Sequence, residues 1–360
     1  MSCMSKATRR ARERLPLGGP AAWHGERMAD DTIWQRTLSA AEIGEIDQAL
    51  AAVKARGLSW RQVTREVFPL PSLAAELAEV VRLLEQGPGL MRLRGLPVER
   101  YDEAEQRAIF FGLGSHLGTA VTQTSAGELM AAITDEGEAR TARGQVATKD
   151  GSFLSSRGRV QSTGQLRFHT DRVDVVGLMC IAQAASGGLS KVASAVAIHD
   201  AMLARRPDLL ELLFQDYYRS RFGEEDRQNR DWYKLPIFAQ EGPHFTTHYS
   251  RTYIEAAQLN PELPKMSEAQ WQAIDLMAEL AEELCLTMTL APGDLQFLNN
   301  HVMFHARTAY DDDAASGRQR KLYRLWLSMP NSRPLPKGHK VLFGDVRPGA
   351  VRGGIRLAAG

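Results

Sequence analysis

From residue 89 onward the apolar residues of this chain fall into short runs closed by turn residues, and that spacing constrains the fold more than any other feature. Residues 89–97 read as a short strand of alternating apolar and basic side chains. Residues 173–184 are a mostly apolar run that breaks at Ser186-Gly187-Gly188, and 189–197 read as a further strand. Shorter runs follow at 233–238, 243–249, 286–290, 296–298 and 323–328. Many short strands without a repeating strand–helix alternation predict two sheets stacked face to face rather than a doubly wound parallel sheet.

Helices frame this pattern, so the expected class is α+β with a helical buttress. Ser39 and Glu42 make a capping box, followed by Ile43, Ile46, Leu50 and Val53 at helical spacing. A second helix is expected over 73–85, capped by Ser72 and stopped by Gly87-Pro88-Gly89. A third, over 102–111, runs into Gly112-Leu113-Gly114-Ser115-His116-Leu117-Gly118, which reads as helix termination. That run is no dinucleotide-binding turn: its spacing is one residue too long, and it ends a helix instead of joining a strand to one. Further helices are expected over 199–204, after Pro207, and over 268–284 behind the Ser267/Gln270 capping box. Residues 135–165 are rich in Gly, Ser, Thr and Arg with little periodicity, which marks a lid loop. The organisation expected is a basic disordered tail (1–20), one domain (21–345, buttress 39–86, β core about 89–330) and a Gly-rich tail (346–360).

Charge narrows the partners. Lys and Arg number 44 against 43 Asp and Glu, a formal net charge of +1, so no basic surplus points to nucleic acid. Cys3, Cys180 and Cys285 are odd in number and far apart, which gives neither a disulfide framework nor a zinc spacing and fits a reducing cytoplasm. No apolar run is long enough to span a bilayer. The Arg-rich start lacks the apolar segment of a secretory signal. A homo-oligomer is left open.

The chemistry starts at Leu166-Arg167-Phe168-His169-Thr170-Asp171. On a strand, His169 and Asp171 point to one face about 7 Å apart at the backbone, so both can reach one ion. Imidazole plus carboxylate suits Fe(II) in a facial triad, given a second histidine from elsewhere. His244 and His248 would chelate on a helix, but Phe245-Thr246-Thr247 favours a strand, where they lie about 13 Å apart. They read as polar residues on a strand face, and His199 and His339 lack a helpful context. The run from Gly293 to Arg307 carries two candidates, His301 and His305. Downstream, Arg320 and Arg324 flank Lys321-Leu322-Tyr323, ahead of Leu325-Trp326-Leu327, as on a strand that takes cations into the core, whereas Arg318 reads as solvated. A buried guanidinium needs a carboxylate partner, and a dicarboxylate cosubstrate would supply one.

At these residues the chain resembles the taurine dioxygenase-like (TauD/TfdA) family of Fe(II)/2-oxoglutarate-dependent oxygenases. The resemblance runs from about residue 89 to 330 and rests on Phe168-His169-Thr170-Asp171, Gly187-Gly188-Leu189-Ser190, and Asn299-Asn300 with His305 and the following arginines. It implies a double-stranded β-helix (jelly-roll, cupin-like) core. His169, Asp171 and His305 are then the iron ligands, with His301 in second place. Ser190 and Arg320 bind 2-oxoglutarate, and Arg324 reaches cosubstrate or an anionic substrate. Gln165 falls where some members place an amide that touches substrate. The interval from His305 to Arg320 is longer than in compact members, filled by a surface insertion at 310–318. The implied reaction couples decarboxylation of 2-oxoglutarate, with O2, to C–H oxidation of a small, anionic or amino-acid-like substrate. The presence of Asp171, which related halogenases lack, argues for hydroxylation. Substrate contacts are expected from 135–165 and from Tyr249-Ser250-Arg251-Thr252-Tyr253, with Arg251 meeting an anionic group. The rivals are a zinc hydrolase built on the same triad and a non-catalytic β-sandwich binding protein.

Overall fold

The computed structural model describes residues 14–137, 145–148, 151–154, 159–221 and 231–355. The strands of its two main sheets are, in chain order, β1 (Gln35–Thr37), β2 (Leu90–Arg94), β3 (Thr119–Ala120), β4 (Met130–Ile133), β5 (Leu166–His169), β6 (Val175–Ala182), β7 (Ser190–Ser194), β8 (Leu286–Met288), β9 (Leu295–Asn299), β10 (Met303–Arg307) and β11 (Lys321–Ser328). The larger sheet runs β1-β2-β9-β6-β11-β3, with β4 also paired to β11, and the smaller runs β8-β7-β10-β5. Two facing sheets of mainly antiparallel strands, with helices outside, make the jelly-roll core of an α+β fold.

The helices that pack on this core are α1 (Ala40–Ala55), α2 (Leu73–Gln86), α3 (Glu103–Leu117), α4 (Ala195–Arg205) and α5 (Glu268–Leu284). The Ser39/Glu42 and Ser267/Gln270 capping boxes both form, so α1 and α5 start where the side chains can replace missing backbone partners. α1 to α3 cover the outer face of the larger sheet, burying Leu77, Val80, Phe110, Phe297 and Leu325 in one apolar cluster. A second cluster lies between the smaller sheet, α4 and α5, around Val192, Ile274, Leu280 and Phe304. These clusters hold both sheets rigid around the polar residues between them.

Several boundaries differ from the sequence expectation. α3 runs through Gly112 and Gly114 to Leu117 instead of stopping at the glycines. Both glycines serve close packing: a Cβ on Gly112 would lie 2.6 Å from the Phe68 ring, and one on Gly114 2.8 Å from Leu325. The strand expected over 189–197 stops at Ser194, whose Oγ accepts the Ala197 N–H at 2.9 Å and starts α4. The run 233–238 splits into strands Trp232–Pro236 and Phe238–Glu241, which pair with different partners. Within the expected lid lies a two-stranded ribbon, Gln145–Thr148 with Gly151–Leu154. Residues 1–13 and 356–360 of the two expected tails lie outside the described residues. The rest of both tails is docked: Asp200 accepts the Leu17 and Gly18 N–H groups at 2.7 and 2.9 Å, and Ile355 is buried with its N–H on the Thr122 carbonyl at 2.8 Å.

Candidate active site

Strand register puts the chemistry together. On the smaller sheet β10 lies between β7 and β5, with His305 opposite both Val192 and His169. The two imidazole rings sit 4.1 Å apart between centroids. Asp171 follows β5 by two residues and turns its carboxylate toward the pair, with Oδ2 3.9 Å from His305 Nε2. Ligand atoms of His169, Asp171 and His305 all lie within 4.8 Å of one another, and all three residues are buried.

Neighbouring groups fix this cluster. His169 Nδ1–H donates to the Arg167 carbonyl at 2.9 Å, which leaves Nε2 for the centre of the cluster. The Asp171 N–H donates to Asn300 Oδ1 at 3.0 Å, and the Trp326 indole N–H donates to Asp171 Oδ2 at 2.8 Å. Burial pushes the His169 pKa down, and it pushes His305 down to about 3 with the help of His169 beside it. Burial alone would raise Asp171, but Arg324, His305, His169 and the Trp326 N–H together hold it below the usual carboxylate range. Two neutral imidazoles and one carboxylate are the protonation states that a divalent ion requires. The donor set, two nitrogens and one carboxylate oxygen within reach of one ion, fits Fe(II) in a facial triad.

Two cavities meet at this cluster. The inner one is lined by His169, His305, Ser190, Arg307, Arg320 and Arg324, with Leu178, Leu290 and Leu322 for its apolar wall. Ser190 Oγ donates to Gln296 Oε1 at 3.1 Å. Arg320 is buried; among the described residues it makes no ion pair and its Nη1 has no hydrogen-bond partner, and its guanidinium lies 5.3 Å from the Tyr310 ring centre. Gly188 lets the chain pass here, since a Cβ on it would come within 3.1 Å of Arg320 Nε. Burial lowers the Arg320 pKa, and Tyr310, Cys180 and Asp312 offset that only in part, so the buried cation is short of counter-charge. A carboxylate ligand in this cavity would supply that charge, so the residues present fit a dicarboxylate cosubstrate.

The outer cavity shares His169 and Arg324 with the inner one and adds Asp171, Gln123, Glu128, Gln161, Arg172 and Arg221. Arg324 spans the two: its Nε donates to Gln123 Oε1 at 2.7 Å, and Nη1 lies 3.7 Å from Asp171 Oδ2.

Two residues singled out in the sequence lie elsewhere. Arg251 is held by Glu255 at 2.8 Å and Asp275 at 2.5 Å, because it opens a helix whose next turn supplies Glu255, and it lines neither cavity. Gln165 is exposed and lines neither cavity, since the chain only turns inward at Phe168. His301 is buried away from the triad, with Nε2 2.8 Å from Asp174 and Nδ1 2.8 Å from Thr246 Oγ1. Arg318 is exposed, as expected.

Sequence reasoning missed three residues. Arg307 and Trp326 each stand two positions beyond a singled-out residue on the same strand, and that spacing was the available signal. His248 lines the outer cavity, with Tyr233 Oη 2.9 Å from its Nε2 and Thr170 Oγ1 3.3 Å from Nδ1. The sequence sets it aside with His244 as a polar residue on a strand face, because its partners come from remote segments.

The model of the family "Taurine catabolism dioxygenase TauD, TfdA family" matches residues 54–326. The chain belongs to the TauD/TfdA family. It is a non-haem iron dioxygenase that uses Fe(II), 2-oxoglutarate and O2, which removes the hydrolase and binding-protein rivals. FR-33289 synthase of Streptomyces rubellomurinus is 31% identical over 90% of this chain and 93% of its own length. The taurine hydroxylase-like protein SAT17 of Stachybotrys chartarum is 28% identical over 86% of this chain and 79% of its own. Among solved structures, asparagine oxygenase in complex with Fe(II), 2S,3S-3-hydroxyasparagine and succinate matches with a TM-score of 0.61 at 17% identity, covering 82% of this chain and 93% of that one. The non-haem iron oxygenase OrfP in complex with Fe and alpha-ketoglutaric acid matches with a TM-score of 0.60 at 15% identity, over 82% and 93%. Among the described residues no helix is long and apolar enough to cross a membrane.

Proposed function

We propose that this dioxygenase hydroxylates a C–H bond of a small anionic or amino-acid-like substrate, with His169, Asp171 and His305 as iron ligands and Ser190 and Arg320 as the cosubstrate clamp. The observation that carries the reading is Arg320: a buried guanidinium without an ion pair among the described residues, in a cavity that is also lined by His169 and His305. With Fe(II), 2-oxoglutarate and O2 bound, the centre supplies an oxidant able to break an aliphatic C–H bond, and the overall reaction converts substrate, 2-oxoglutarate and O2 into alcohol, succinate and CO2.

The chain's own residues set the stage for that chemistry. Ser190 and Arg320 would hold a carboxylate of the dicarboxylate in the cavity that the two histidines also line. Leu178, Leu290 and Leu322 keep water off the cosubstrate. Trp326 and Asn300 hold Asp171 from side chain and backbone, which fixes the carboxylate that would bind the ion. The substrate side is the outer cavity. Arg172 and Arg221 suit an anionic group there, and Glu128 suits an ammonium. Asparagine and arginine derivatives bound to the structural neighbours support an amino-acid-like shape.

The test is succinate formation by anaerobically purified, iron-loaded protein given 2-oxoglutarate, air and a library of amino acids and small anions. Substrate-dependent succinate with a product heavier by one oxygen atom is the expected result. Succinate without any oxygenated product from the whole library would overturn the substrate reading. No succinate at all from folded, iron-loaded protein would overturn the assigned centre.

A further inference from the structure

Arg307 is a second buried guanidinium in the inner cavity, and nothing in the mechanism above uses it. It is 4% exposed, stands two residues beyond His305, and stacks on Tyr310 with 4.6 Å from guanidinium to ring centre. Every acceptor it meets is a backbone carbonyl. Its Nη2 donates to Ser162 at 2.7 Å, to Gly164, and to Arg159 at 3.4 Å; Nη1 donates to Val160 at 3.5 Å and Nε to Thr308 at 3.3 Å. Carbonyl dipoles orient a cation without neutralising it, so the cavity holds Arg307 and Arg320 together; among the described residues neither forms an ion pair, and Asp312, near both, and Asp135, near Arg307, offset only part of the cost of burying them.

Apart from that of Thr308, the carbonyls that Arg307 grips belong to the segment 159–164, the far root of the expected lid. That segment carries Val160, which lines both cavities, and Gln161, which lines the outer one. One side chain thus touches the cosubstrate cavity at one end and the substrate wall at the other. A dicarboxylate placed between Arg320 and Arg307 would remove the repulsion between two desolvated cations. Arg307 would then settle on its carbonyls. By linkage, whatever free energy the ligand gains from an ordered 159–164 segment, the segment gains from the ligand.

We propose that Arg307 is a positioning residue that couples 2-oxoglutarate occupancy to the order of residues 159–164, and so builds the substrate wall only when cosubstrate is in place. The inference rests on the cosubstrate assignment of the inner cavity. Its test uses the full chain, loaded with Fe(II) and kept free of oxygen, with amide hydrogen exchange of 159–164 and 2-oxoglutarate binding by calorimetry measured on the same samples. In the wild type, saturating 2-oxoglutarate slows exchange in this segment by about tenfold, a typical coupling between two sites. In Arg307→Met the segment exchanges fast with and without ligand, and 2-oxoglutarate binds about tenfold to a hundredfold more weakly. Arg307→Lys keeps the charge but loses the fork, so it retains most of the affinity and loses the ligand-dependent protection. It also carries the test if the Met variant does not fold. Ligand-dependent protection that persists in either variant, or its absence in wild type that binds 2-oxoglutarate, overturns the inference alone. Wild type that binds no 2-oxoglutarate overturns the cosubstrate assignment, and the inference with it.

Discussion

Two histidine–carboxylate clusters grow from the same two stretches of chain, and they are opposites. His169, Asp171 and His305 form one; Asp174 and His301 form the other, three and four residues away along the sequence. In the second cluster protein groups use the carboxylate fully. Asp174 accepts from His301 Nε2 and Arg352 Nε, both at 2.8 Å, from the Met329 N–H at 2.9 Å and from Ser328 Oγ at 3.4 Å. The other nitrogen of His301 is taken by Thr246. In the first cluster, among the described residues, His305 Nδ1 has no hydrogen-bond partner, and His169 bonds only backbone carbonyls. Beside it stand Arg307 and Arg320, neither of them in an ion pair among the described residues. Residue type and burial are alike in both. What separates a candidate metal centre from a structural ion pair is the hydrogen-bonding and charge capacity left unspent.

The sharpest way to break this contrast is to delete a histidine from each side. His169→Ala or His305→Ala is expected to abolish iron binding and succinate formation in protein that keeps its circular dichroism. His301→Ala should bind iron normally and lose stability instead. Asp174→Asn is the next largest effect: it leaves buried Arg352 short of its counter-charge and should lower unfolding free energy by about 3–5 kcal/mol in denaturant titrations, with iron affinity unchanged. A matching loss of iron affinity would mean the two clusters are one unit. Arg320→Ala should raise the 2-oxoglutarate concentration for half-maximal turnover by roughly a hundredfold while iron still binds. Trp326→Phe, which removes the N–H on Asp171 along with part of the ring, should weaken iron by about tenfold without loss of fold; an unchanged affinity would show that the Trp326 N–H is not needed to orient the carboxylate.

Acid sharpens the comparison from the structural side. Burial holds His301 and His339 down to about 4, against an ordinary 6.5, although Asp174 pulls His301 partly back up. Between those values the unfolded chain binds protons that the folded chain refuses, so stability is full above 6.5 and falls as pH drops toward 4. The denaturant midpoint measured across that window should decline steadily. A flat profile would contradict neutral, buried imidazoles.

Local patterns made much of the fold and part of the site legible. Capping boxes placed α1 and α5, and turn-bounded apolar runs placed the larger strands, because both signals are local. The H-x-D spacing brought His169 and Asp171 to one place, and the motif around 299–305 pointed to His305 over His301. Gly112 and Gly114 misled because their reason, contact with Phe68 and Leu325, lies outside the helix that contains them. Arg251 misled because Asp275, its partner, is on α5. Arg307 went unseen for the same cause: its acceptors are carbonyls, and carbonyls have no sequence signature.

The most direct test of the account is anaerobic Fe(II) titration of the wild type, His305→Ala and His301→Ala, each with and without 2-oxoglutarate. One tightly bound iron in the wild type and in His301→Ala, tightened by 2-oxoglutarate in both, with none in His305→Ala, is the result the account predicts. Iron retained in His305→Ala, or lost in His301→Ala with the fold intact, would contradict it.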